Sequence, residues 1–337
     1  MKEFIRNILG VRLYERIKSN YIYLQKKRKL KINFRKDYQN YCKHSTVFKT
    51  DNFKKIESEL ILDYHGLEKG FLHDELRYRF AEHRVKRMIR NLEKINYDSS
   101  KSSQVSISLK VLSDYFKLHL KNNVNIEDFF SEKIYNRIQE NLKEEEEIYK
   151  VVSKSEYFKN VSGNFLDFSN SRKSIRSFSK ELINIDVIKL VVDIAKNAPS
   201  VCNRQPVKVH FIQNKIKIDE ILDIQGGLTG FRDNINQIIV LTSDRNYFFS
   251  VGERNQLYVD GGIFLMNLLY SLHYHKIATC CANWGKEYKD DLKAEKILDL
   301  KPSEKIICVV ALGYIEDNIK YTLSKRRTVD EILTFVN

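Results

Sequence analysis

The sequence predicts an all-α region over residues 1–155, followed by an α+β domain over residues 156–337. Over residues 4–150, charged residues are interleaved with Leu, Ile, Phe and Tyr at three-to-four spacing, and proline is absent. Beyond about residue 170 the pattern changes, because segments of helical period alternate with short runs rich in Val and Ile. This change of hydrophobic pattern separates the two regions.

In the second region the periodicity predicts helices over 186–197 and 255–275, and strands over 207–213, 237–242, 279–284 and 305–312. A short helix is expected to close the chain. The helix over 255–275 is apolar nearly all round, so we expect it to be buried in a core or between subunits. Gly261 and Gly262 lie inside it, and since each costs roughly 1 kcal/mol relative to Ala, they indicate a close approach of another element.

Composition is that of an ordinary globular protein, with 337 residues, 42% hydrophobic and 30% charged. Five cysteines without paired spacing favour neither a disulfide framework nor a zinc site, and we predict no metal. The first ten residues lack the apolar core of a signal peptide, and no run approaches the roughly 18 apolar residues of a membrane span. We therefore expect a cytoplasmic protein.

A net charge of +14 is concentrated partly in the first 36 residues, which culminate in the basic run 26–31. Apolar residues from Phe4 to Ile17 have roughly helical spacing beside this charge. Two interpretations remain open, namely peripheral contact with an anionic membrane surface and a surface helix packed on the rest of the protein. Because no nucleic-acid recognition motif accompanies the charge, we expect no nucleic-acid partner.

Two segments of the second region carry most of the functional information. Arg172, Ser174 and Arg176, with Lys173 between them, alternate just before a helix, where two guanidiniums and a hydroxyl can converge on a phosphate and an electron-rich ring. After one helix length, Pro199 ends the helical pattern. The following residues form a tight loop that can face a planar ligand: Ser200, Asn203 and Gln205.

These segments, the stretch 277–285 and the basic tail 325–327 resemble the FMN-dependent nitroreductase family, in the family's order, over roughly residues 168–336. The resemblance implies a central, mostly antiparallel sheet flanked by helices. It also implies FMN as cofactor, NADH or NADPH as electron donor, and a homodimer with shared flavin sites.

The resemblance also implies roles for individual residues. Arg172 and Ser174, with Lys173 beside them, would bind the FMN phosphate, and Lys325 and Arg327 would complete the phosphate clamp. Arg176 would approach the N1/O2 edge of the flavin ring, where a positive charge favours the anionic reduced flavin, and it is the predicted catalytic residue.

Six further cofactor-binding residues follow from the same resemblance. Pro199, Ser200 and Asn203 would meet the flavin ring from the partner subunit, and the backbone of Cys281, Ala282 and Asn283 would run beside flavin N5. The vicinal cysteines of this strand could be redox-active, but we favour small packing residues.

The all-α region contains the compact motif His65-Gly66-Leu67-Glu68-Lys69-Gly70. It resembles a segment of nitroreductase-like proteins from bacterial surface-polysaccharide loci. A metal pair of His65 and Glu68 would need further ligands such as His73, Asp74 or His83, so we favour a surface helix that stops at glycine. The chain between Ser243 and Gln256 is too short for the usual covering helices. We therefore expect residues around 65–79 to form a lid or a docking surface for a larger substrate.

We predict an FMN-dependent oxidoreductase that transfers hydride from NAD(P)H through the flavin to a nitro, quinone or enone compound or a biosynthetic intermediate. Surface-polysaccharide biosynthesis is the setting that the resemblance suggests. The alternative is a non-catalytic flavin-binding or scaffold module that docks to a membrane or a glycan-synthesis complex.

Overall fold

The structure of the protein is a computed structural model, which describes residues 10–95, 102–142 and 147–336. The first apolar positions of the predicted basic arm, residues 4–9, lie outside the described residues. The first described helix, α1 (Val11–His44), is 34 residues long and buries none of its side chains. The predicted packing of an apolar stripe on the rest of the protein is therefore not observed over this helix.

Helix α1 is strongly basic, since its only acidic residues are Glu15 and Asp37. Asp37 joins it to the second half of the chain, because the Arg254 guanidinium donates hydrogen bonds of 2.7 and 3.0 Å to the two carboxylate oxygens. Within the described ranges, no helix has both the length and the apolar character needed to cross a membrane.

Four helices pack around an apolar core of their own: α2 (Phe53–Gly70), α3 (Glu82–Lys94), α4 (Ser103–Lys121) and α5 (Glu132–Glu140). Three of them begin at a polar side chain that accepts a hydrogen bond from a backbone N–H of the first turn: Asn52, Ser102 and Ser131. Their buried side chains recur at helical spacing and include Leu60, Leu67, Val85, Met88, Leu112 and Tyr115. These helices thus share a hydrophobic core that is distinct from the cores of the sheet, and we call them the helical domain.

The described part of the chain contains six strands: β1 (Tyr149–Ser153), β2 (Val207–Ile212), β3 (Ile238–Asp244), β4 (Ala278–Asn283), β5 (Glu304–Gly313) and β6 (Asn318–Thr322). Four of them form an antiparallel sheet in the order β2-β3-β5-β4. The other two, β1 and β6, pair antiparallel in a separate ribbon. The strand just before the predicted boundary at residue 155 thus pairs with the end of the chain.

Helices flank the sheet on both sides: α6 (Lys154–Phe158), α7 (Phe165–Ser171), α8 (Ile185–Ala195), α9 (Lys215–Gln225), α10 (Gln256–Tyr274), α11 (Tyr288–Leu298) and α12 (Val329–Ile332). Side chains alternate between the two faces of a strand, and both faces of β3 are buried. Ile238 and Val240 enter a core shared with α9, whereas Ile239 and Leu241 enter a core shared with α8 and α10.

Helix α10 lies against the sheet, and Gly261 is the position that permits this. A Cβ atom at Gly261 would lie 2.8 Å from Ile307 Cγ1 of β5, whereas one at Gly262 would meet nothing within 4 Å. The close approach that the glycine pair predicted is therefore to the chain's own sheet. The outer face of α10 exposes large apolar side chains, including Tyr258, Val259 and Ile263.

The predicted fold class is confirmed, since a helical region precedes an antiparallel sheet flanked by helices. The four predicted strands of the sheet are present, with ends that differ from the predictions by one or two residues. The helices over 186–197 and 255–275 correspond to α8 and α10.

We expect Gly70→Ala to destabilise the helical domain by about 1–3 kcal/mol, because a Cβ atom there would overpack a filled core. That atom would lie 2.1 Å from Phe80 Cε2, and the Phe80 ring is itself held edge-on against Phe71 and Tyr115. Urea unfolding followed by circular dichroism measures the change. Gly252→Ala is the matched control, because its Cβ would make an ordinary 3.7 Å contact with Ser250 Oγ. Equal stability of the two variants would contradict the packing argument.

Candidate functional site

A cavity of about 730 Å³ lies where α2, the segment 169–176, α10 and the chain after β6 meet. We call it the cationic cavity, because five of its lining residues carry positive side chains: Arg172, Lys173, Arg176, Lys325 and Arg326. The cavity is also lined by Ile61, Tyr64, His65, Glu68, Ser174 and Cys281. Residues far apart in the sequence thus surround one space.

The segment 172–176 is held in place by β4. Ser174 forms a parallel bridge with Thr279, and the backbone N–H of Ile175 donates to the Thr279 carbonyl at 2.9 Å. Because side chains alternate along an extended segment, Ile175 enters the core while Ser174 and Arg176 line the cavity. The sheet therefore sets the direction of the cationic side chains.

The cationic side chains repel one another, and Lys173 shows this most clearly. Burial lowers the pKa of its ammonium group, and the nearby charges of Arg326, Arg172 and Lys150 lower it further. One Lys173 hydrogen bond goes to the carbonyl of Asn170, at 2.7 Å from Nζ. An anion placed among these groups would offset the repulsion, which is the electrostatic requirement of a phosphate site.

The neutral side chain of His273 supports the residues next to this cluster. It is buried, and burial, followed by the charges of Arg172 and Lys173, lowers its pKa to about 4. The Ser171 hydroxyl donates to the Phe168 carbonyl at 2.8 Å, so the His273 Nε2–H donates to Ser171 Oγ across 2.7 Å. A neutral imidazole therefore anchors the end of α7, immediately before Arg172.

Arg176 is the most informative side chain of the cavity. It is only 6% exposed, and its Nε and Nη1 atoms are buried without a hydrogen-bond partner among the described residues. Its charge also contributes, after burial, to lowering the pKa of Lys69. An unpaired buried guanidinium is costly, so this geometry fits a bound group that offers electron-rich acceptors to Arg176.

The helical domain supplies one wall of the cationic cavity. Ile61, Tyr64, His65 and Glu68 of α2 all line it, and His65 Nδ1 donates to Glu68 Oε2 at 3.2 Å. Glu68 is only 2% exposed. The interpretation of this motif as a surface helix is therefore wrong, because Glu68 is buried and lines the cavity together with the predicted cofactor segment. The predicted helix stop at glycine is confirmed, since the helix ends at Gly70.

Arg327 does not line the cationic cavity, in contrast to the predicted clamp. Its Nη2 atom lies 2.5 Å from a carboxylate oxygen of the buried Glu57, and its Nη1 atom lies 3.5 Å from Glu331. The neighbouring Arg326 lines the cavity, as does Lys325. Two carboxylates thus hold the Arg327 guanidinium away from the cavity that Lys325 and Arg326 line.

Pro199 and Ser200 line a different cavity, of about 590 Å³, between α8, β2 and α10. Asn203 lines neither cavity. Within one chain these three residues are thus separate from the cationic cavity, so their predicted contact with flavin in a dimer stays a prediction.

The loop that carries these residues has unusual backbone geometry. Cys202, Asn203 and Gln205 adopt φ values of 50, 55 and 51°, in the left-handed region that residues other than glycine rarely occupy. The loop is fixed by Asp260, whose carboxylate accepts from the Val201 N–H at 3.3 Å. Such strain persists where the surroundings impose it, and it concentrates at functional sites.

Of the predicted strand residues, only Cys281 lines the cationic cavity. Ala282 is buried in the core, and the Asn283 carbonyl accepts a hydrogen bond from Gln225 Nε2 at 3.1 Å. The predicted contacts of their backbone with flavin N5 therefore stay predictions. Within the described ranges, no group of three or more His, Cys, Asp and Glu side chains is arranged to hold a metal ion.

Arg326 lines the cavity where Arg327 was predicted, and no residue of α2 was among the predicted cofactor-binding residues. The sequence signal for α2 was the motif His65–Gly70, and His65 and Glu68 of that motif line the cavity. The lid or docking surface expected around residues 65–79 stays a prediction.

Comparison with known proteins adds to this geometry. Residues 170–229 match the model of the nitroreductase family. The nitroreductase-family segment begins just before Arg172 and includes Pro199, Ser200 and Asn203. It therefore contains both sequence segments that first indicated a flavin site. No curated protein matches the sequence.

Among solved structures, this chain is similar to an FMN-dependent nitroreductase from Clostridium difficile R20291, with 16% identity, 50% of this chain and 98% of that chain covered, and a TM-score of 0.41. A nitroreductase family protein from Clostridium difficile 630 has 17% identity, coverages of 52% and 99%, and a TM-score of 0.42. A third, from Clostridium novyi NT, has 20% identity, coverages of 46% and 86%, and a TM-score of 0.40.

Proposed function

We propose that this protein is an FMN-dependent oxidoreductase that takes hydride from NADH or NADPH and passes reducing equivalents to an organic acceptor. The observation that carries the proposal is the cationic cavity, because it combines a cluster of mutually repelling cations with the unpaired buried guanidinium of Arg176. The cavity is built on the nitroreductase-family segment.

In this proposal the FMN phosphate is bound by Arg172, Lys173, Ser174, Lys325 and Arg326. These residues come from both ends of the sheet domain and offer charge-assisted hydrogen bonds to one anion. Arg326 replaces the predicted Arg327, whose guanidinium is engaged by Glu57.

Arg176 would bind the electron-rich edge of the flavin ring. A fixed positive charge there stabilises negative charge as it develops on reduction, and burial strengthens that interaction. When bound, the flavin supplies the hydride chemistry, while the protein binds it, orients it and excludes competing reactions.

We further propose a homodimer in which the loop 199–203 of one subunit meets the flavin of the other. Two features support this arrangement: the exposed apolar face of α10, including Tyr258, Val259 and Ile263, and the strained loop itself. Cys281, Ala282 and Asn283 would then offer backbone groups near the ring from the subunit that binds the phosphate.

The acceptor would enter beside α2, which acts as the lid. Its position against Arg172 and Arg176 supports this role, since Tyr64 and His65 border the same space. A nitro, quinone or enone compound, or an intermediate of surface-polysaccharide biosynthesis, fits a flavin that donates hydride. For α1 we propose peripheral contact with an anionic membrane surface, supported by its excess of Lys and Arg and by its exposed Tyr and Leu side chains.

The purified protein is expected to bind FMN and show the absorbance peaks of oxidised flavin, which NADH or NADPH should bleach without oxygen. Arg172→Ala should raise the Kd for FMN about 10- to 100-fold, since it removes a charge-assisted hydrogen bond worth roughly 1.5–3 kcal/mol. Arg90→Ala is the matched control, because Arg90 is exposed on α3 and does not line the cavity. A protein that refuses FMN would end the proposal, and bound FMN that neither donor bleaches would favour the non-catalytic alternative.

A further inference from the structure

We propose that His65, held by Glu68, is the proton donor that completes reduction of the acceptor in the cationic cavity. This inference rests on the proposed flavin function, and it assigns a catalytic role to the helical domain. The acceptor class it implies is a compound with a polarised double bond, whose reduction requires one hydride and one proton.

The His65–Glu68 pair has the geometry of a general acid that is held in one orientation. Glu68 is buried, and its carboxylate oxygen Oε2 accepts from His65 Nδ1 at 3.2 Å. The His65 side chain is 40% exposed and lines the cavity, so the opposite ring nitrogen, Nε2, is left for a ligand. A carboxylate on one nitrogen fixes the orientation of the ring and stabilises the imidazolium that a donor must form.

Gly66 and the ion pairs of Asp63 explain how α2 is fixed around His65 and Glu68. A Cβ atom at Gly66 would lie 2.9 Å from Arg84, so glycine lets the Arg84 side chain cross α2 at this turn. Arg84 and Arg87 both bind the fully buried Asp63, at 3.1 and 2.6 Å. Helix α2 is thus fixed by a buried charge network one turn from His65.

The electrostatic surroundings suit a proton donor whose acceptor becomes anionic. Arg172 and Arg176 face the cavity from the segment beside β4, and Lys325 and Arg326 face it from the tail. On α2 itself, the buried Glu68 faces His65 with a carboxylate. In the proposed complex the other cations meet the FMN phosphate, which leaves Arg176 as the cation beside the flavin ring, where negative charge on a stacked acceptor would develop.

For an enone, a bound reduced flavin would supply the hydride that forms a C–H bond at the β carbon, and the displaced π electrons would move to the carbonyl oxygen. The His65 Nε2–H bond would break as an O–H bond forms, which gives the enol of the saturated ketone and leaves neutral imidazole hydrogen-bonded to Glu68. Water at the exposed side of the ring would return the proton to His65 Nε2.

The decisive experiment separates the two half-reactions in His65→Gln by stopped-flow absorbance. FMN binding and bleaching by NADPH should stay within about twofold of wild type, whereas reoxidation by an enone such as cyclohexenone should slow by about 10²-fold or more, the usual contribution of a general acid. His83→Gln is the matched control, because His83 is an exposed histidine of α3 that does not line the cavity.

A second measurement does not depend on turnover. In the flavin-free protein, ¹⁵N spectra of neutral His65 should show a proton on Nδ1, and Glu68→Gln should shift the ring toward the opposite tautomer. Unchanged reoxidation in His65→Gln, with FMN binding and bleaching intact, would overturn this inference alone. A neutral His65 ring that carries its single proton on Nε2 in the wild type would overturn it too. Loss of FMN binding by the wild type would instead refute the proposed function.

Discussion

Replacing Arg176 by Met is expected to stabilise the flavin-free protein and to lower its affinity for FMN. Arg176 is 6% exposed and two of its nitrogens lack a partner among the described residues. Since replacing buried charge by apolar volume is often stabilising by about 1–4 kcal/mol, we expect the free energy of unfolding to rise within that range. The pKa of Lys69 should rise as well, because the Arg176 charge helps to lower it.

Urea unfolding of flavin-free and FMN-saturated protein measures both effects. Saturating FMN should stabilise the wild type more than Arg176→Met, because ligand stabilisation follows the affinity for the folded state. Arg90→Met, on the exposed surface of α3, should change the free energy of unfolding by less than about 0.5 kcal/mol. A flavin-free Arg176→Met protein less stable than wild type would show that the guanidinium has structural partners.

Arg327→Ala should destabilise the protein by about 1–3 kcal/mol, because it leaves the buried Glu57 carboxylate without its cation. Glu57 would retain its hydrogen bond from the Ser102 hydroxyl, which limits the loss. The Kd for FMN should stay within about twofold of wild type, in contrast to Arg172→Ala. This pair of results would assign Arg327 to the contact between domains rather than to phosphate.

A double variant sharpens the test of Arg327. Adding Glu57→Gln to Arg327→Ala should restore part of the lost stability, since an amide tolerates the loss of a cation better than a carboxylate does. If Arg327→Ala instead raised the Kd for FMN as much as Arg172→Ala does, the original assignment of Arg327 to the phosphate clamp would be restored.

The elements of the sheet domain were predictable because their signals are local. The apolar run that forms β3 and the proline that ends the pattern of α8 act within a few residues, so these elements were placed almost correctly. The segment 172–176 was recognised from its alternating charges together with the resemblance to the nitroreductase family, and it lines the cationic cavity.

The rest of the site depends on contacts that no local pattern encodes. His65 and Glu68 meet Arg172 across more than one hundred residues of chain, through packing of two separate cores. Whether Arg326 or Arg327 enters the cavity depends on the contact of Arg327 with Glu57, which lies 270 residues earlier in the chain. The sequence therefore showed which groups were present, but not which of them share a cavity.

The tail that follows β6 couples the two halves of the protein. Lys325 and Arg326 face the cavity, while just beyond them Arg327 binds Glu57, and Glu331 accepts hydrogen bonds from the Ser103 backbone and hydroxyl at 3.2 and 2.6 Å. A molecule whose binding to α2 or α4 displaces this tail would change the affinity of the cavity for its ligand, and by thermodynamic reciprocity that ligand would change the affinity for the molecule.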